Sequence, residues 1–238
     1  YQDKEIYVIE VNPRASRTIP FVSKATGVAL ANIAARVMVG VSLKEQDFTK
    51  EVIPNYYSVK ESVFPFNKFL GVDPILGPEM RSTGEVMGIG DNFPAAFDKA
   101  LLAAGEKIPT SGKVFVSLRT LDRNHLTELG RRLTSQGFEI VATRTNQEML
   151  QEAGLECTMV NKVSEGSPHI VDLIKNDEIS LIINSTEDTQ GLEDATFIRC
   201  EALIHKVPCT TTVAAAFAML DGINTNNKLV VRSIQSLH

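Results

Sequence analysis

The chain has 238 residues, with 24 Lys and Arg against 29 Asp and Glu, a formal charge of −5, 43% hydrophobic residues and no Trp. That is room for one large domain or two smaller ones with cores of their own, and the acidic balance argues against a nucleic-acid partner, which needs basic surface to displace phosphate counterions. Cys157, Cys200 and Cys209 lack metal-ligand spacing, and no run approaches the roughly eighteen apolar residues of a membrane span; a cytoplasmic protein with reduced thiols and no membrane partner is expected.

Glu5 to Val11 read as a strand. Side chains two apart share a face, so Val8, Glu10, Asn12 and Arg14 point one way while Tyr7, Ile9 and Val11 point the other. A carboxylate, an amide oxygen and a guanidinium then converge, a set that suits a hard cation such as magnesium with phosphates in its remaining positions. The same residues would also make an ordinary charged strand end. A loop rich in proline and arginine follows, and then "GVALANIAARVMVG", with apolar residues at helical spacing. Val52 to Gly90 hold four prolines and only short apolar runs, which predicts irregular loops and brief strands. Such a segment makes no core by itself, so the chain reads as a piece of a longer protein, and the absence of Met at position 1 agrees.

A helix is predicted from Phe93 to Ala104, and the linker "GEKIPTSG" marks a boundary between two domains, 1–104 and 105–238. Beyond it the apolar runs "KVFVSL", "EIVAT", "CTMV", "SLIIN" and "KVPCTTT" alternate with helical stretches. Strands that short and that apolar, each followed by a helix, predict an α/β domain with a parallel sheet covered on both faces.

The polar residues of this domain collect at the strand ends. Ser117, Thr143, Lys162, Asn184 with Ser185 and Thr186, and Thr210 to Thr212 all fall at or just past the carboxyl ends of the predicted strands. In open parallel sheets that edge forms the ligand crevice, with helix amino-termini pointing free N–H groups into it. Hydroxyls, a lysine and helix dipoles together describe a site for a phosphate-bearing small molecule; singly, the same residues would serve as helix caps. No Ser-His-Asp order, metal cluster, GxGxxG or Walker sequence accompanies them, and His169 reads as a helix-start residue. A pocket without evident catalytic groups points to an effector site.

The stretches "IEVNPRASRTIPFVSKATG", "GPEMRSTGEVMG", "NKVSEGSPHIVDLIKN" and "LIINST" resemble, in this order, the carboxy-terminal part of the large subunit of bacterial carbamoyl phosphate synthetases. The resemblance covers essentially the whole chain. It implies that residues 1–104 are the tail of an ATP-grasp domain and that 105–238 form a Rossmann-like, methylglyoxal-synthase-like regulatory domain. It also implies Glu10 and Asn12 as ligands of Mg2+ or Mn2+ at an ATP site, and Arg14 as its catalytic, phosphate-contacting arginine. Glu61, Thr210 and Thr211 match ornithine-binding positions, although Cys209-Thr210-Thr211 stands where some relatives have Tyr-Asp-Thr. Ser117, Arg123, Thr143, Lys162, Asn184, Thr186 and Asp194 match the positions for UMP and IMP. Arg123 replaces a lysine there, and "TRTN", Thr143 to Asn146, replaces a stretch that often holds Gly-Thr. A glutaminase small subunit, and a homo-oligomer of the resulting heterodimer, are the implied macromolecular partners. A second reading is a free-standing phosphate-binding lyase of the methylglyoxal-synthase type, which would need an acid or base carboxylate in the crevice.

Overall fold

The structure is a computed structural model and describes residues 5–8, 10–69, 71–76, 80–185, 189–223 and 230–237. It separates into two compact units, residues 1–56 with 229–238, and residues 57–228.

The first unit contains α1 (Thr18–Thr26) and α2 (Leu30–Met38). The predicted loop before α2 thus holds a helix of its own. The Ser16 hydroxyl accepts the Thr18 N–H at 3.1 Å, Pro20 falls in the first turn, where an N–H has no intrahelical partner to lose, and Gly27 ends the helix at φ 73°. The predicted strand from Glu5 to Val11 is not formed: among its described residues only Glu5 makes an isolated bridge, and all are exposed. A strand needs a neighbour's ladder, and none of the described strands of this chain supplies one there.

The second unit begins with an antiparallel pair, β1 (Tyr57–Val63) and β2 (Gly84–Gly90), registered from Tyr57 opposite Gly90 to Val63 opposite Gly84. Then comes α3 (Phe93–Ala104), where prediction placed a helix. Asn92 caps it by accepting the Ala95 N–H at 2.9 Å, Pro94 occupies its first turn, and Gly105 closes it at φ 93°. This helix lies backbone-close on β2. A Cβ on Gly88 would overlap the Ala96 carbonyl oxygen and the Ala100 nitrogen, so only glycine permits the approach.

The rest is β3 (Gly112–Ser117), α4 (Leu126–Ser135), β4 (Phe138–Ala142), α5 (Arg144–Glu152), β5 (Thr158–Met159), α6 (Ile170–Lys175), β6 (Ile179–Asn184), α7 (Thr189–Ile204), β7 (Cys209–Thr210) and α8 (Val213–Ile223). The five strands form a parallel sheet in the order β5-β4-β3-β6-β7. Alternation along each strand divides the core. Val114, Val116, Ile140, Ala142, Leu181 and Ile183 pack with residues of α4, α5 and α8, while Phe115, Val141 and Ile182 pack with residues of α6 and α7. The first of these layers also takes in Leu101 of α3 and Ile108 of the linker, so packing groups α3 with the sheet although the linker after it reads as a boundary. Among the described residues no helix is long and apolar enough to cross a membrane.

Candidate anion-binding crevice

The strand order reverses at β3. The chain runs from β3 out to β4 and β5, then returns to β6 on the other side of β3, where Ser117 and Asn184 lie opposite each other at the two strand ends. The connections leave this point in opposite directions and open a crevice. A cavity of about 230 Å³ occupies it, lined by Ser117, Arg123, Thr143, Lys162, Asn184 and Asp194. These are six of the seven residues matched to nucleotide-binding positions; the seventh, Thr186, lies outside the described residues.

The local chemistry follows from how each loop is pinned. The Ser185 N–H donates to the Ser117 carbonyl at 3.0 Å, and the Ser185 hydroxyl accepts the Arg119 N–H at 3.1 Å. Asn146, in the first turn of α5, accepts the Leu118 N–H at 3.2 Å. The ends of β3 and β6 and the start of α5 thereby form one rigid rim. Arg123 Nε donates to the Leu118 carbonyl at 3.4 Å. Arg119 Nε donates to Asp122 Oδ2 at 2.7 Å, and this guanidinium holds the Asp122 carboxyl below the usual carboxylate range. Opposite, Asp194 Oδ2 accepts the Ser164 hydroxyl at 3.0 Å.

Among the described residues three cationic side chains, Arg119, Arg123 and Lys162, line the cavity against one carboxylate, Asp194. The first turn of α5 has no side-chain cap. Its free N–H groups and the helix dipole add further positive potential for a bound anion. Most telling is Asn184: it is 3% exposed, and its Nδ2 has no hydrogen-bond partner. A buried amide donor left unpaired costs about 1–3 kcal/mol, so the site carries an unmet demand for an acceptor.

Sequence reading missed Arg119 and Ser164, which also line the cavity. Arg119 was findable, since it stands two residues beyond the β3 strand end. Of "TRTN", Thr143, Thr145 and Asn146 line the cavity. His169 sits at the amino end of α6, its backbone N–H donating to Asp172 Oδ2 at 2.9 Å.

The fifth strand end departs from expectation. Thr210 is buried in β7 and its hydroxyl is spent on the following turn, donating to the Thr212 carbonyl at 3.1 Å; neither it nor the exposed Thr211 lines the cavity. β7 is the outermost strand on its side and pairs with β6 over only two residues, so the sheet twist carries its end away. Its surroundings have other charged neighbours. Burial and the like charge of Glu61, on β1, push the Glu106 carboxyl up, and burial, against Arg199 and with Glu106 assisting, pushes the Cys209 thiol to about 12. Glu106 therefore lies within electrostatic reach of both Glu61 and Cys209. Nearby, the Arg199 guanidinium forks onto Asp73 at 2.7 and 2.6 Å, with the Thr196 hydroxyl also donating to Asp73 at 2.9 Å. The other two thiols, Cys157 and Cys200, are likewise raised by burial, which leaves them poor nucleophiles.

In the first unit Glu10, Asn12 and Arg14 are exposed, and Asn12 Nδ2 donates to Glu10 Oε1 at 3.0 Å. Among the described residues no group of three or more His, Cys, Asp or Glu is placed to hold a metal ion. The two oxygen donors suit a hard cation by type, as part of a larger ligand set.

An open parallel sheet with a cationic crevice at its switch point defines a domain of Rossmann-like architecture with a candidate site for a small anion. Residues 125–211 match the family described as MGS-like domain, and residues 1–46 match the family described as carbamoyl-phosphate synthase L chain, ATP binding domain. The whole chain is 58% identical to the carbamoyl phosphate synthase large chain of Pseudomonas syringae, 57% to that of Pseudomonas putida and 53% to that of Vibrio cholerae. It spans 22% of the length of each of these relatives. Over its whole length, then, the chain is similar to a segment of carbamoyl phosphate synthase large chains.

Proposed function

We propose that the chain is the carboxy-terminal part of the large subunit of a glutamine-dependent carbamoyl phosphate synthetase, and that its parallel-sheet domain is the receptor for that enzyme's nucleotide effectors. The complete enzyme would be a cytoplasmic, ATP-dependent ligase that makes carbamoyl phosphate from bicarbonate, ATP and ammonia drawn from glutamine, for arginine and pyrimidine synthesis. A glutaminase small subunit would deliver the ammonia, and the heterodimer would associate further. In this reading residues 1–104 complete an ATP-grasp domain and 105–238 regulate it.

The observation that carries the regulatory half is Asn184, whose buried Nδ2 is unpaired in a cavity lined by Arg119, Arg123 and Lys162. That combination calls for a ligand with both a phosphate and a carbonyl or ring acceptor, which UMP and IMP provide. Arg123 and Lys162 would attract the phosphate, Thr143 and the α5 N–H groups would fix it, and Asn184 with Asp194 would read the base and ribose. Ornithine would bind outside this cavity, its amino groups answered by Glu61 and by Thr210 and Thr211. At the ATP site Glu10 and Asn12 would hold Mg2+ or Mn2+, which neutralises phosphate charge during transfer, and Arg14 would fork onto a phosphate.

Asp194 is the observation that favours the lyase reading, since it puts a carboxylate in the crevice. Its Oδ2 is engaged by Ser164, however, and the similarity to carbamoyl phosphate synthase large chains runs through residues 1–104 as well, which a free-standing lyase would not need. Calorimetric titration of the chain with UMP, IMP and ornithine tests the proposal: saturable nucleotide binding is expected, and no heat from either nucleotide at millimolar concentration refutes it. Supplied with ATP, bicarbonate and ammonia, the chain alone should form no carbamoyl phosphate, because only one wall of an ATP site is present.

A further inference from the structure

We infer that Asn146 is a positioning residue that fixes the Thr143 hydroxyl as a hydrogen-bond donor into the cavity, setting that end for an acceptor-only group such as a phosphate dianion. The inference rests on the reading of the cavity as a nucleoside monophosphate site.

Asn146 is 2% exposed and Thr143 is 7% exposed. A backbone N–H can only donate, so the Asn146 atom facing the Leu118 N–H at 3.2 Å is the carbonyl Oδ1. That choice turns Nδ2 toward Thr143 Oγ1 at 3.2 Å and, at 3.5 Å, the Leu118 carbonyl. An amide NH2 also only donates. The Thr143 oxygen must therefore accept, and its proton is directed elsewhere. Thr143 lines the cavity, and no side-chain cap bond at the start of α5 uses its hydroxyl. Among the described residues no protein acceptor takes that proton, so it is presented to whatever fills the crevice. One asparagine thus sets the rim's shape through Leu118 and the hydroxyl's polarity through Thr143. A phosphate dianion, which accepts on every terminal oxygen, meets that polarity; a singly protonated phosphate has one oxygen that must donate and meets it less well.

The test uses the full chain, calorimetric titration with UMP and with inorganic phosphate, and four proteins: wild type, Asn146→Asp, Thr143→Val and the double variant. Aspartate keeps an oxygen for the Leu118 N–H, but its second oxygen can only accept, so the Thr143 hydroxyl turns to donate to it. The new charge also repels phosphate, and the Thr143→Val background isolates that part. UMP affinity is expected to fall about thirtyfold on Asn146→Asp in the wild-type background and about threefold in the Thr143→Val background, a tenfold coupling. Wild-type affinity should also rise between about pH 5.5 and 7.5 as the phosphate loses its second proton, with a flatter profile in Asn146→Asp. Equal losses in both backgrounds, or an unchanged pH profile, would overturn the inference. If Asn146→Asp does not fold, Thr143→Ser should bind like wild type while Thr143→Val loses about tenfold, and a Thr143→Val protein that binds normally overturns it. A wild-type chain that binds neither UMP nor phosphate instead removes the nucleotide reading itself, and this inference with it.

Discussion

Replacing Asn184 by leucine should strengthen the folded chain and weaken its ligand, two effects of opposite sign from one side chain. The residue is 3% exposed with an unpaired Nδ2, a position that costs about 1–3 kcal/mol of desolvation without return in the ligand-free protein. Leucine keeps the branching at Cγ, and its extra volume has the adjoining cavity of about 230 Å³ to enter. Taken at the lower end of that range, the net gain should be about 1 kcal/mol. A chain of this size should then melt about 2–4 °C higher. In urea the midpoint should rise with the slope unchanged, because the surface exposed on unfolding barely differs. Binding moves the other way. A neutral hydrogen bond is worth about 0.5–1.5 kcal/mol net, so UMP affinity should fall by up to about tenfold. Urea unfolding followed by circular dichroism and calorimetric titration read the two effects on the same preparation. An Asn184→Leu protein destabilised by more than about 1 kcal/mol would mean that the amide is satisfied within the ligand-free fold, and the argument from its unmet donor would fail.

Lys162→Ala should weaken UMP and IMP about ten- to a hundredfold by titration, since a charge-assisted contact is worth about 1.5–3 kcal/mol, and should leave ornithine binding within about twofold. Asp73→Asn strands a guanidinium whose side chain is 4% exposed; with the carboxylate itself 23% exposed, about 2–3 kcal/mol of stability should be lost at pH 7. Arg199 depresses the Asp73 carboxyl, so its stabilisation is fully present above the unfolded value near 3.9 and fades as pH falls through the lower folded value. Urea midpoints of wild type and Asp73→Asn should therefore converge in strong acid, and a constant gap would contradict the ion pair. Gly88→Ala puts a methyl group into the Ala96 and Ala100 backbone and should cost about 1–3 kcal/mol, with α3 exchanging its amide hydrogens faster; an unchanged melting curve would show that the helix can stand off from β2.

The amino-acid sequence determined what depends on neighbours along the chain. Strands β3, β4 and β6 are runs of branched apolar residues, and α3 has its cap, its proline and its closing glycine in place, so local preference and burial ask for the same structure. The polar strand ends Ser117, Thr143, Lys162 and Asn184 were legible for the same reason: a parallel sheet puts all its carboxyl ends on one edge whatever the order of its strands. Strand order was another matter. Only the packed sheet places β6 beside β3 and brings Asn184 opposite Ser117, and only its outer position takes Thr210 away from the cavity. The strand expected from Glu5 to Val11 shows the same limit from the other side, since alternation describes a face but does not provide the ladder that a strand requires. The polarity of the crevice was equally hidden. That Asn146 gives its oxygen to Leu118, 28 residues away, and so turns its NH2 to Thr143, while Asn184 keeps a donor unpaired, depends on which distant groups meet in the folded chain, and residue type alone does not encode such meetings.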